Sequence, residues 1–349
     1  MQPASPGARP HYNARMRKVR WGVLGVAKIA TEKVIPAMQL GAWSEVAAIA
    51  SRTRDKADAA ASALGIPKAY GSYEALLDDP DIDAIYNPLP NDLHLPWTTA
   101  AAERGKHVLC EKPIGLSTAE AREMIAVRDR TGVKIQEAFM VRTHPQWLKV
   151  RELVRGGAIG EPRAVLGAFS YFNRDPNNIR NIPAAGGGAL MDVGCYLINT
   201  SRFVFGRPPA RVAGVVDRDP DMGTDRMTSL LLDFAPGHAA GTCSTQMVPY
   251  QTLQVLGTTG RIEVQIPFNA PPDRPCRILV DTGADLFGGG VTTFDMETCN
   301  QYTIQGDLFS RAILEQTDVP CPLEDAVENM ACIEAVFRSA ASGRWETPE

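Results

Sequence analysis

"RWGVLGVAKIATEKVIPAMQL", residues 20–40, decides the fold. It reads as a short apolar strand, a turn of small residues and an apolar-periodic helix. Within it, "GVLGVAKIA" matches the dinucleotide fingerprint G-x-G-x-x-G/A at Gly25, Ala27 and Ala30, with Gly22 inside the strand. The first small residue allows the tight turn, the second lets a pyrophosphate approach the backbone, and the third lets helix and strand pack closely. Lys28 and Ile29, which open the helix, join Gly25 and Ala27 as expected cofactor contacts.

Outward from this stretch, "EVAAIASRTRDKADAAASALG" (45–65) repeats strand then helix, and so do the segments starting at Asp83, His107 and Val133. Five such alternations predict a parallel sheet with helices on both faces. Beyond Gly160 the pattern changes to strand-like segments with Gly-containing turns, an antiparallel meander. A helix begins near Ala189, and an amphipathic helix closes the chain after Pro322. The expected organisation is an α/β Rossmann domain at 18–140 and an α+β domain with an open, mostly antiparallel sheet at 141–349. A Pro-, Gly- and Arg-rich N-terminal arm, 1–17, precedes them.

The chain has 349 residues and a net charge of −4, which offers no general attraction to phosphate polymers, so nucleic acid is not expected as a partner. Seven scattered cysteines without a C-x-x-C pair argue against a disulfide framework and a zinc ribbon and point to a reducing, cytoplasmic setting. No apolar run approaches a membrane span, and no H-x-x-x-H or H-E-x-x-H pair marks a metal site.

At the tip of the second strand an NAD-type site places an acid for the ribose hydroxyls, but this chain has Ser51 and Arg52, with Lys56 a turn later. A hydroxyl and cations there suit a 2′-phosphate, so NADP(H) is the expected cofactor. Asn87, Pro88, Leu89 and His94 leave the third strand of the pattern at the carboxyl edge, where open α/β sheets bind ligands. In "GGGALMDVGCYLIN" (186–199), Asp192 and Tyr196 are four residues apart and share one helix face.

With "EKP" at 111–113 added, these motifs resemble the Gfo/Idh/MocA oxidoreductases over nearly all the chain from Arg20 onward. "NNIRNIPAAGGGALMDVGCY" (177–196) is similar to the sugar branch, which contains glucose-fructose and aldose-aldose oxidoreductases and NADP-dependent xylose dehydrogenases. The resemblance implies that Lys112, Asp192 and Tyr196 face the nicotinamide, that Glu111 lies beside the cofactor and that Lys112–Pro113 is cis. A tyrosine lowered in pKa by a neighbouring ammonium can move the proton of a sugar hydroxyl, so Tyr196 is the expected acid-base group, tuned by Lys112, with Asp192 orienting the sugar or the lysine. Arg142, Asn178 and Arg180, with Asp192 and Tyr196, are the substrate candidates; His144 is a lesser one. The expected reaction is hydride transfer between NADP(H) and C1 of an aldose, with the cofactor either exchangeable or trapped under the arm and serving a second sugar. Dihydrodiol dehydrogenase and anhydrofructose-type reductase are the alternatives, and a non-catalytic NADP or sugar sensor is the alternative of another class. The open sheet implies a homodimer or homotetramer.

Overall fold

The computed structural model describes residues 17–349. The expected arm, apart from Arg17, lies outside them.

Six parallel strands form the first sheet: β1 (Val19–Leu24), β2 (Ser44–Ala50), β3 (Lys68–Tyr70), β4 (Ala84–Asn87), β5 (His107–Cys110) and β6 (Ile135–Glu137), in the order β3-β2-β1-β4-β5-β6. The order reverses between β1 and β4, the switch point where this architecture opens a crevice. The central strands are mostly apolar and buried because helices cover both faces. The sequence reading missed β3 and the following α3 (Tyr73–Leu77), which at three and five residues are too short to show a period.

Eight strands form the second sheet: β7 (Pro162–Phe172), β8 (Arg211–Arg218), β9 (Asp225–Asp233), β10 (His238–Ser244), β11 (Gln246–Gly257), β12 (Arg261–Val264), β13 (Arg277–Asp281) and β14 (Val291–Asp295). Their order is β14-β13-β12-β11-β7-β10-β9-β8, and β7 pairs with β10 in parallel. The predicted meander is therefore broken at one place. The chain leaves β7 through α7 (Cys195–Phe205), and β8 to β10 then fold back beside β7; a parallel pair needs such a crossover.

Two helices open with a π-helical turn: Ala30–Val34 before α1 (Ile35–Gln39), and Leu190–Gly194 before α7. Such turns recur at functional sites, and here they carry the helix starts that flank the crevice. Gly25 has φ +85° and Gly188 φ +121°. At Gly188 a Cβ would sit on the Asp225 carboxylate, which accepts the Leu190 N–H at 2.7 Å; only glycine lets β9 cap this helix so closely.

From beyond the expected boundary at 140/141, α8 (Gln301–Glu315) packs back on the first sheet. Asp307 accepts the N–H groups of Ala42 and Trp43 at 2.8 and 2.9 Å, and the Trp21 indole donates to Ser310 at 3.0 Å. The helix closing the chain is α9 (Leu323–Ser342), which packs on β8 and on α5 (Thr118–Thr131). Among the described residues no helix is long and apolar enough to cross a membrane.

Candidate active site

A cleft of about 1070 Å³ runs along the carboxyl edge of the first sheet and is walled on its other side by β7, α7 and the loop between them. One end is the turn Gly25 to Ile29, where the helix starts on small residues and free backbone N–H groups. Arg52 stands at this end. Pro88, Leu89 and Glu111 also line the cleft, so the phosphate turn, the guanidinium and the loop after β4 form one continuous wall. These residues fit a dinucleotide carrying an extra phosphate.

Lys112, Asp192 and Tyr196 meet at the other end. The Lys112 Nζ donates to the main-chain oxygen of Asp192 at 2.8 Å and to its carboxylate at 3.3 Å. The other carboxylate oxygen accepts from the Tyr171 hydroxyl at 2.6 Å and from Arg180 Nε at 2.9 Å. Burial disfavours the Asp192 carboxylate, but Arg180 and Lys112 outweigh it and hold the group well below the usual carboxylate range. Burial likewise disfavours the Lys112 ammonium, which Asp192 keeps above its ordinary value. The Lys112–Pro113 bond is cis, as the resemblance implies.

Tyr196 differs from expectation. Its ring lies among Phe139, Phe169 and Phe268, with centroids 5.2, 5.7 and 5.4 Å away, and its hydroxyl donates to the Met140 sulfur at 3.4 Å. Lys112 Nζ stands over the ring, 4.8 Å from its centre, rather than beside the hydroxyl. Burial pushes the phenol well above its ordinary pKa, so the expected lowering by the ammonium does not occur. Thioether sulfur is a weak acceptor, which leaves the hydroxyl available to a better oxygen.

Several predicted contacts lie elsewhere. Arg142 is turned into the interior, 2.6 Å from Asp325 at the start of α9 and 4.6 Å over the Phe203 ring, and does not line the cleft. The Asn87 side chain bonds Thr98 and the main chain of His94 and Leu89 behind the wall. Ser51 is buried behind Arg52, and Lys56 lies in the exposed first turns of α2 (Arg54–Leu64), outside the lining. His94 lines the cleft, but both ring nitrogens are 2.8 Å from main-chain oxygens, of Pro113 and of Leu89, so it ties two wall loops together. Burial pushes it down to about 4, although both carbonyls favour its charged form. His144 caps α6 (Pro145–Arg155) by accepting the Gln146 N–H at 3.1 Å. Asn178 and Arg180 do line the cleft.

Sequence reasoning missed Tyr171, Gln251 and Tyr302 as cleft residues. The alternation in "AFSYF" would have put Phe169 and Tyr171 on one face of β7, but nothing local marks which face meets α7. Tyr302 sits on the unread helix α8. Among the described residues no group of three or more His, Cys, Asp or Glu could hold a metal ion.

A doubly wound sheet, a phosphate turn and a buried Lys-Asp-Tyr set at the far end of one cleft define a nicotinamide-dependent oxidoreductase. The chain belongs to the Gfo/Idh/MocA family: residues 19–139 match its oxidoreductase domain with NAD-binding Rossmann fold, and 147–263 match its C-terminal domain. It is 46% identical over 333 residues to an uncharacterized oxidoreductase of Rhizobium meliloti, covering 95% of this chain and all of the relative. It is 38% identical to a D-xylose 1-dehydrogenase (NADP(+)) of Haloferax volcanii, covering 93% and 98% of the two chains. A 3-ketoreductase from Actinomadura kijaniata, solved with NADP and TDP-benzene, superposes with a TM-score of 0.86 at 29% identity over 93% of this chain and 98% of that one. The protein is an NAD(P)-dependent sugar oxidoreductase of this family.

Proposed function

We propose that the protein is an NADP(H)-dependent sugar oxidoreductase acting at C1 of an aldose, giving the aldonolactone. The observation that carries this is the Lys112-Asp192 pair at 3.3 Å beside Tyr196, at the end of a cleft whose other end holds the phosphate turn and Arg52. The whole-length likeness to an NADP-dependent xylose dehydrogenase supports it. When bound, the cofactor accepts the hydride from the carbinol carbon or returns it. Lys112, with two hydrogen bonds to Asp192, has one proton left to hold the reacting oxygen. Asp192 keeps Lys112 charged and Arg180 in place. Tyr196, protonated near neutrality, donates to the oxygen in reduction; in oxidation its phenolate, formed at higher pH, takes the hydroxyl proton.

Seven free cysteines fit a reducing, cytoplasmic compartment. The outer face of the second sheet supports self-association, because Leu231, Ala240 and Leu166 are registered in one row across β9, β10 and β7, and both leucines are exposed. The functional test is to mix the purified protein, first with no nucleotide added, with a panel of aldoses while following reduced-nicotinamide absorbance. A burst equal to the enzyme concentration and reversed by a second sugar means trapped NADP and an aldose-aldose oxidoreductase; steady turnover only with added NADP means a dehydrogenase. Silence in both overturns the reading.

A further inference from the structure

Gln251 on β11 is registered directly opposite Phe169 on β7. Directly opposed residues of an antiparallel pair share a face, so Gln251 belongs to the face whose Phe169 packs on Tyr196 and whose Tyr171 reaches Asp192. It lines the cleft.

Its amide is held in one orientation. The Oε1 accepts the N–H groups of Phe268 and Asn269 at 2.9 and 3.0 Å, so the oxygen is identified by its two donors and the NH2 must occupy the other position. That nitrogen has no partner among the described residues, yet it is not one of the buried unpaired atoms, so it opens to the cleft. Two more lining amides repeat the pattern. Asn173 Oδ1 accepts the Asp175 N–H at 2.9 Å and Asn178 Oδ1 accepts the Arg180 N–H at 3.1 Å, with neither NH2 group engaged by a described residue. The cation on this side, Arg180, is already paired with Asp192. What remains is a set of uncharged, oriented donors.

We propose that Gln251 is a specificity-determining residue that donates a hydrogen bond to a substrate oxygen away from the reacting carbon, with Asn173 and Asn178 supplying further donors. The wall selects neutral substrates rich in acceptor oxygens, the remote hydroxyl oxygens of a free sugar. This rests on the sugar reading above.

The test compares the full-length wild type with Gln251→Glu, with NADP and the aldose the wild type turns over best. Glutamate keeps an oxygen for the two N–H groups, replaces the NH2 donors with a second acceptor oxygen and adds a negative charge. The sugar KM should rise about tenfold or more, with kcat within about threefold and the NADP KM unchanged. Across a monodeoxy series of that aldose, removal of the accepting hydroxyl should lower wild-type kcat/KM about tenfold and lower the variant's no further, a non-additivity that a purely structural role does not produce. An unchanged sugar KM, or the same deoxy penalty in both enzymes, overturns the proposal. The wild-type series also stands alone: equal kcat/KM at every position remote from C1 overturns it whether or not the variant folds. A wild type silent with every aldose overturns the functional reading and this inference together.

Discussion

The ammonium of Lys112 stands over the ring of Tyr196, 4.8 Å from its centre, while its hydrogen bonds run to Asp192. A cation over an aromatic face is attracted by the ring quadrupole and leaves the phenolic oxygen untuned. Lysine and tyrosine are therefore separate tools, one holding charge and the other a proton.

Tyr196→Phe keeps the ring under Lys112 and deletes the proton alone. Its kcat should fall about 10²–10⁴-fold with the sugar KM little changed. Steady-state kinetics check this, and retained turnover removes Tyr196 from proton transfer.

Because burial raises the Tyr196 phenol, it stays protonated at neutral pH. The kcat for oxidation should climb with pH to beyond about pH 9, whereas reduction should be nearly flat around neutrality. A plateau of oxidation near neutral pH would assign the proton to another group.

Asp192→Asn leaves Lys112 and Arg180 facing each other without their common anion. Breaking such a buried set should cost about 3 kcal/mol, read from denaturant midpoints, and kcat should fall as well. The folded carboxyl lies below its ordinary 3.8, so the stability it contributes is complete above that value and is lost as the pH falls through the lower folded one. The variant should consequently lose less stability on acidification than the wild type.

Arg52 is the cation of the predicted phosphate set that stands in the cleft. Arg52→Ala should raise the KM for NADP about tenfold to a hundredfold and leave that for NAD nearly unchanged. Equal effects on both would detach Arg52 from a 2′-phosphate.

Glu137, at the end of β6, is buried and accepts the Ile114 N–H at 2.7 Å. Burial first, then Asp325, pushes its carboxyl from 4.5 to about 8 against Arg202 and Arg142. The folded state thus binds this proton more tightly than the unfolded chain, and stability should fall as pH rises from 4.5 to about 8. The slope is at most about 1.4 kcal/mol per pH unit. Glu137→Gln keeps the acceptor and should remove that slope in unfolding measured across the range.

The local code was enough for the phosphate turn, because Gly25, with φ +85°, follows a strand and opens a helix within a few residues. The i, i+4 spacing was likewise enough to align Asp192 with Tyr196, since helical geometry is local. The side-chain partners were not legible in this way. Arg142 and Arg180 both lie near loops and both look like substrate ligands in sequence. One meets Asp325, 183 residues later, and turns inward; the other meets Asp192 and stays in the cleft.

The sequence by itself determined the two kinds of sheet and the dinucleotide turn, because each depends on contiguous residues or on periods of two and 3.6, while only its resemblance to a family pointed to Lys112, Asp192 and Tyr196 as one set. The tertiary structure alone decided that β7 pairs in parallel with β10, that α8 returns to the first sheet, that Lys112 faces the Tyr196 ring and not its hydroxyl, and that Tyr171 and Gln251 join the site. These are pairings between segments tens to hundreds of residues apart. They are set by which buried surfaces and polar groups can be satisfied together, and no single stretch of chain carries that information.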